Sequence, residues 1–322
     1  MRVLVTGASG MLGRETARAF ARRGDAVRVL QRRPSGLEGT EEVLGSITDP
    51  DAVRAAVAGV DTVVHLAAKV SITGPHAEFV AVNVDGTRTL LAQARAAGVR
   101  RFVMVSSPSV AHAGSALVGA GTTPADPGAA HGSYAVTKGQ AELLALAADA
   151  PGFAVVAVRP HIVIGPGDTQ LVQRIADRAR AGRLPLLDAG TALIDTTYVD
   201  NAVDAMLAAA DRADVAHGQA FVVTNGEPRT VAEVFARICA AAGVPAPTRR
   251  VPAAAAKVAG SVVERVWTWG RLPDEPPMTR FLAEQLSTAH WFDQRRTREV
   301  LRWAPRVPLD EGFRRLAGGF GR

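Results

Sequence analysis

The sequence predicts an α/β fold: a doubly wound parallel sheet followed by a smaller, mixed α/β part. Three observations carry this. Short apolar runs alternate with helical patterns through the first half of the chain. A glycine-rich turn joins the first run to the first helix. After Gly165 the alternation breaks and Pro and Gly become frequent. A β-α-β-α rhythm requires crossover connections, hence parallel strands with helices on both faces.

The elements follow in order. Val3–Thr6 reads as a strand and Met11–Arg23 as a helix. Ala26–Leu30 is a strand and Glu42–Leu44 a weak one. Pro50–Ala58 is helical, with Asp49 as its N-cap. Asp61–Leu66 is a strand, and Asn83–Ala97 a helix stopped by Gly98. Arg101–Ser106 is a strand, Ser133–Ala148 a helix and Val155–Arg159 a strand. The division is placed at 1–165 for a nucleotide-binding domain and 166–322 for the substrate-binding part, with a helix near 200–210 returning to the first. The stretch 112–132 reads as a long loop poor in secondary structure, a length typical of lids.

A chain of 322 residues with 48% hydrophobic and 21% charged residues has ample core and no signature of disorder. The net charge of +6 comes from scattered arginines, which suit an anionic cofactor or substrate better than nucleic acid. One cysteine, Cys239, excludes an internal disulfide framework and a cysteine-rich zinc site, and its helical apolar neighbours make it a packing thiol. No His, Cys and acid cluster has metal spacing, so no metal is expected. The chain opens directly on a strand and has no long apolar span, which reads as a cytoplasmic protein.

"VTGASGMLG", residues 5–13, places Gly7, Gly10 and Gly13 at the first strand-to-helix turn, with Ser9 as an added hydroxyl donor. There Gly7 permits the turn, Gly10 a close approach to a pyrophosphate and Gly13 tight helix packing. This is the mark of a Rossmann dinucleotide site. NAD sites carry an acid at the end of the second strand, about 20 residues on, for the ribose 2′-hydroxyl. Here "QRR" stands instead, so Arg32 and Arg33 favour a 2′-phosphate and NADP(H), with NAD(H) as the alternative. "SYAVTK" sets Tyr134 and Lys138 four apart, on one helix face. Alone this is an ordinary polar pair. Beside the glycine turn and the "SSPS" strand end it reads as a proton-transfer site, with Ser107 and Tyr134 as donors to a developing oxyanion.

With "VVHLAA", "NVDGT", "RPHIVIGPGD", "TYVDN" and "VTNGEP", these motifs resemble the extended short-chain dehydrogenase/reductase superfamily over nearly the whole chain. The resemblance implies catalytic roles for Ser107, Tyr134 and Lys138, with Ser106 and Ser109 beside them, and a cofactor site that adds Met11, Leu12, Ser46, Ile47, Leu66, Ala67, Ala68, Pro160 and Ile162. Ser46 stands where many members have an adenine-binding aspartate, with Ile47 expected to pack on the base, and Asn83 is assigned a backbone-ordering role. Ile162 replaces the asparagine that contacts nucleotide-sugars in epimerases, and Pro108 and Ser109 replace the acids of dehydratases, which argues against sugar chemistry. "SSPSV", "DTTYVDNAVDA" and "EPPMTRFLAEQLSTAHWFD" resemble the 3β-hydroxysteroid dehydrogenase-like group, and most the bacterial 2-alkyl-3-oxoalkanoate reductases, implying reduction of a lipid β-keto acid.

The alternatives are a 3β-hydroxysteroid dehydrogenase, a nucleotide-sugar epimerase and a non-catalytic regulatory module. The last is disfavoured by the retained tyrosine and lysine. The apolar stretch 251–270, with Trp267 and Trp269 and basic residues Arg249, Arg250, Lys257, Arg265 and Arg271 against Glu264, reads first as a core helix and second as a lipid or membrane contact. His161 and His290 are each open between packing and substrate contact. Oligomeric state stays open, a dimer included.

Overall fold

The computed structural model describes residues 1–71, 74–270 and 278–320; the side chains of residues 264, 265 and 268–270 are also outside the description. The readings placed on Glu264, Arg265, Trp269 and Arg271, and the start of the 275–293 match, therefore lie outside the described residues.

The first part is built from β1 (Arg2–Thr6), α1 (Met11–Arg22), β2 (Ala26–Gln31), β3 (Thr40–Leu44), α2 (Pro50–Val57), β4 (Thr62–His65), α3 (Gly86–Ala96), β5 (Arg101–Val105), α4 (Ser133–Ala147), β6 (Ala154–Pro160), α5 (Val199–Asp211) and β7 (Gln219–Val223). Its seven strands run in the order β7-β6-β5-β4-β1-β2-β3. Every pairing is parallel. The two-residue period of a strand sends alternate side chains to opposite faces. Val3, Val5, Val103 and Val105 join the core under α1 and α5, with Phe20 and Met206. Leu4, Phe102 and Met104 join the opposite core, with Val53, Leu90 and Ala141. Both faces are covered, as a parallel sheet requires.

Asp49 caps α2, its carboxylate accepting from the N–H groups of Asp51 and Ala52 at 3.0 and 3.3 Å. The helix expected from Asn83 is preceded by a π-helical turn over Val80–Asp85, so α3 begins at Gly86. Besides α5, the seventh strand, β7, returns to this sheet from beyond residue 165. The expected 112–132 loop holds a strand, Leu117–Ala120, which pairs with His290–Phe292. Isolated by periodicity, those four residues find their partner only through the far end of the chain. They form a mixed four-stranded sheet with Leu193–Ile194 and Arg229–Thr230.

The helix Ala253–Gly270 packs against the helix Arg280–Ser287, and a Cβ on Gly260 would meet the Thr279 carbonyl carbon at 2.6 Å. Its other side leaves Val258, Val262 and Val266 exposed. Among the described residues no helix is long and apolar enough to cross a membrane.

Candidate active site

The strand order reverses direction between β1 and β4, and their carboxyl ends open a crevice there. Gly7 lies at φ +78°, and a Cβ on it would meet the Ala67 nitrogen at 2.7 Å. A Cβ on Gly13 would meet the Gly7 oxygen at 2.3 Å. These two glycines are demanded by the protein's own packing. Gly10 differs: its nearest neighbour would be the Gly7 oxygen at 3.6 Å, leaving open space in front of the turn. Gly10 is also the N-cap of α1, with no side-chain cap and no acid in the first turn. The first N–H groups of α1, at Met11 and Leu12, are thus left for an anion. Leu66, Ala67 and Ala68 follow β4 on the other side of the crevice, half-buried. The Thr6 hydroxyl holds this edge, accepting from the Ala67 N–H at 3.1 Å and meeting His65 Nδ1 at 2.8 Å. These features fit a dinucleotide pyrophosphate.

At the end of β2 no acid appears, and Arg32 and Arg33 are exposed. Gln31 is buried and turns away, donating to Glu42 at 3.0 Å. The same Glu42 carboxylate accepts from the Ser35 N–H at 2.6 Å and from its hydroxyl. Those donors hold the Glu42 carboxyl below its usual range. Sequence spacing missed this acid because it comes from β3, one strand over. Ser46 bonds Thr48 at 2.8 Å between hydroxyls. Ile47 is buried beneath Gly86, where a Cβ would meet its side chain at 2.9 Å, so its side chain packs into the core.

The candidate catalytic side chains lie beyond the end of β5 and on the first turns of α4. Ser107 follows β5 as N-cap of the short turn Pro108–Ala111. Tyr134 and Lys138 lie on the first turns of α4. The Ser107 side chain is the neighbour that acts on the Tyr134 phenol, favouring its anionic form. Burial pushes the phenol up to about 12, with the Ser107 side chain pulling the other way, so Tyr134 is protonated at neutral pH. Lys138 donates to the Val105 carbonyl at 2.6 Å. Burial pulls its ammonium down to about 8, and the carboxylate of Glu142 opposes that pull. Glu142 is fully buried and paired with Arg159, whose Nε donates at 2.8 Å; Arg159 also donates to the Thr123 carbonyl at 2.7 Å. The i,i+4 spacing from Lys138 to Glu142 was available in the sequence, but its partner on β6 was not.

Asn83 accepts from the Lys69 N–H at 2.7 Å and donates to the Lys69 carbonyl and to Thr137. It ties the segment after β4 to α4, a backbone-ordering role. Pro160 ends β6 in the core, and Ile162 follows at φ 43°. A β-branched residue there carries strain of ~1–3 kcal/mol.

The two ambiguous histidines are packed groups. His161 Nδ1 donates to the Asp195 carbonyl at 2.8 Å, and its ring lies 5.8 Å from that of His290. His290 Nε2 meets His112 Nε2 at 2.8 Å. Burial lowers His161 to about 4 and His290 to about 3. Among the described residues no group of His, Cys, Asp or Glu has metal-holding geometry. A cavity of about 520 Å³ lies beyond this cluster, lined by Asp195, Trp291, Phe292 and Arg298, and none of Ser107, Tyr134 or Lys138 borders it. Cys239 is buried, its thiol pushed up by desolvation.

The NAD dependent epimerase/dehydratase family matches residues 3–224. The chain belongs to that family. It is similar to a 2-alkyl-3-oxoalkanoate reductase of Stenotrophomonas maltophilia, 40% identical over 98% of both chains. A protein of the same description from Shewanella oneidensis is 33% identical over 97% of this chain and 84% of the other. A 3-beta-hydroxysteroid dehydrogenase of Mycolicibacterium neoaurum is 30% identical over 97% of this chain and 89% of the other. Among solved structures, gox2253 superposes with a TM-score of 0.79 at 27% identity, covering 99% of this chain and 97% of the other. MoeE5 in complex with UDP-glucose and NAD gives 0.77 at 25% identity, covering 99% and 98%. The protein is therefore an extended short-chain dehydrogenase/reductase, an NAD(P)-dependent oxidoreductase acting on CH–OH/C=O groups.

Proposed function

We propose that the enzyme reduces the keto group of a lipid-like β-keto acid of the 2-alkyl-3-oxoalkanoate type to the β-hydroxy acid, using NADPH, with Tyr134 as proton donor. The observation that carries the reaction type is the protonated Tyr134 phenol under the influence of the Ser107 side chain, with Lys138 one helical turn away. The substrate class rests on similarity along nearly the full length to two proteins described as 2-alkyl-3-oxoalkanoate reductases.

When bound, the reduced nicotinamide supplies a hydride to the carbonyl carbon. Gly7, Ser9, Gly10, Met11, Leu12 and Gly13 would hold the pyrophosphate, with Ser46, the main chain at Ile47, Leu66, Ala67, Ala68, Pro160 and Ile162 along the rest of the cofactor. Arg32 and Arg33 would meet the 2′-phosphate. Ser107 and Tyr134 present hydroxyl donors to the oxygen as it gains charge, and Tyr134 delivers the proton. Lys138 keeps a positive charge beside the phenol and favours its anionic form afterwards. The part after Gly165 contributes the acyl-binding surface.

Activity should rise with alkyl chain length, since each buried CH₂ contributes ~0.8 kcal/mol. Loss of NADPH absorbance with β-keto acids of graded length, a 3-ketosteroid and UDP-glucose tests this. The 3β-hydroxysteroid dehydrogenase reading, favoured by relatives so described at 30–31% identity, gains if the steroid turns over strongly and chain length has no effect.

A further inference from the structure

We propose that Ser109 is a positioning residue for catalysis: its hydroxyl occupies a lone pair of the Ser107 oxygen and commits the Ser107 proton to Tyr134 and the substrate oxygen. The inference rests on the ketoreductase reading of Ser107 and Tyr134.

The geometry begins with the local sequence Ser107-Pro108-Ser109. Ser107 is extended, at φ −154° and ψ 147°, and caps the turn Pro108–Ala111. Proline at the first position of that turn has no N–H to offer. The cap bond therefore falls to the Ser109 N–H, which reaches the Ser107 oxygen at 3.3 Å. The Ser109 hydroxyl donates to the same oxygen at 3.0 Å. A serine hydroxyl has two lone pairs and one proton. With both lone pairs engaged from within its own turn, Ser107 has only its proton left. That proton is what Ser107 can offer the Tyr134 phenol, whose anionic form the Ser107 side chain favours. Ser107 thus acts toward Tyr134 and the substrate as a donor and not as an acceptor.

The orientation is set before substrate arrives. Ser109 is 8% exposed, so water does not readily replace its hydroxyl. The turn is itself anchored, since the Asp126 N–H donates to the Val110 carbonyl at 2.9 Å and the His112 N–H to the Ser109 carbonyl at 3.3 Å. Without the Ser109 hydroxyl, the Ser107 oxygen keeps one free lone pair and its proton is free to rotate. Donation to the phenolate or to the substrate oxyanion then has to be reorganised at the moment of reaction.

The test compares Ser109→Ala, Ser109→Thr, Ser107→Ala and the double Ser107→Ala/Ser109→Ala variant. Oxidation of an α-alkyl β-hydroxy acid with NADP⁺ is followed across pH. Ser109→Ala should lower kcat by about five- to tenfold, the effect of one hydrogen bond, with KM little changed. The acidic limb of its pH profile should move up by about half a unit. Ser109→Thr, which keeps the donor, should restore both. In the Ser107→Ala background the Ser109 change should cost nothing more. A full Ser109→Ala penalty in that background, or an unmoved pH limb, overturns the proposal and leaves Ser109 a turn residue.

A second readout needs no substrate. The chain has two tyrosines, Tyr134 and Tyr198, so carbon-labelled tyrosine gives two assignable Cζ resonances. Ser109→Ala should shift the Tyr134 resonance only while Ser107 is present. If the wild-type enzyme oxidises no hydroxy acid, the function reading fails, and this resonance alone decides Ser109: a shift that persists without Ser107 refutes the relay.

Discussion

Replacing Glu142 with Gln should weaken the fold and the active site together. The carboxylate and Arg159 are both about 1% or less exposed, and the pair makes two hydrogen bonds. Gln keeps the shape and one acceptor but leaves the guanidinium charge buried, with the Thr123 carbonyl as its remaining strong partner. Breaking a buried pair by neutralising one member costs ~3–5 kcal/mol. With an unfolding entropy of about 2 cal/mol/K per residue, a chain of 322 residues loses roughly 1.5 °C per kcal/mol, so Tm should fall by about 5–7 °C. The same carboxylate supports the charge of Lys138 against burial. Its loss should move the ammonium further below about 8, so that NADPH KM rises as pH increases from 7 to 8 more steeply than in the wild type. Scanning calorimetry and a KM–pH series measure both. A Tm within a degree of wild type would show that the pair contributes no net stability, and an unchanged KM–pH curve would show that Lys138 does not sense Glu142. The double change Glu142→Leu/Arg159→Met, which removes both charges, should recover most of the lost stability.

Tyr134→Phe keeps the ring and removes the proton; kcat should fall ~10²–10⁴-fold with NADPH affinity preserved, read by steady-state kinetics and cofactor titration, and a near-normal kcat would sink the mechanism. Arg32→Ala should raise the NADPH KM more than the NADH KM; equal effects would remove Arg32 from the 2′-phosphate site. Glu42→Gln is informative beside it, because a carboxylate pressed against Gln31 and Ser35 disfavours a second anion nearby, so its loss should help NADPH more than NADH. Stability should also fall with acid. His65, His161 and His290 are depressed in the folded state, to about 3, 4 and 3. The unfolded chain then binds more protons below about 6.5, and each histidine steepens the loss by up to ~1.4 kcal/mol per pH unit as pH falls toward 4. Asp195, raised by burial to about 6, works the other way and offsets one of the three. A urea midpoint unchanged between pH 7 and 5 would contradict the buried, neutral histidines.

What could be read from the sequence was what is local. The glycine turn, the Asp49 cap, the strand runs on both sides of it and the Tyr134–Lys138 spacing depend on residues within a few positions of one another, so φ preferences and periodicity announce them. That the sheet is parallel with helices on both faces followed from the same local signals, because helical crossovers between successive strands require it; the strand order, with β7 returning to the edge, did not. Tertiary structure decided whatever was contributed from a distance. The strand at Leu117–Ala120 exists through pairing with residues some 170 positions on, and no periodicity in four residues could show it. Glu42 reached the end of β2 from a neighbouring strand, and Arg159 gave Glu142 its partner across the space between helix and sheet. Ile47, which local reading turned toward a base, went into the core because Gly86 left it room. His112, His161 and His290, from three separate segments, met in one buried cluster. Hydrogen bonding and desolvation depend on distances in space, and only the packed chain assigns those.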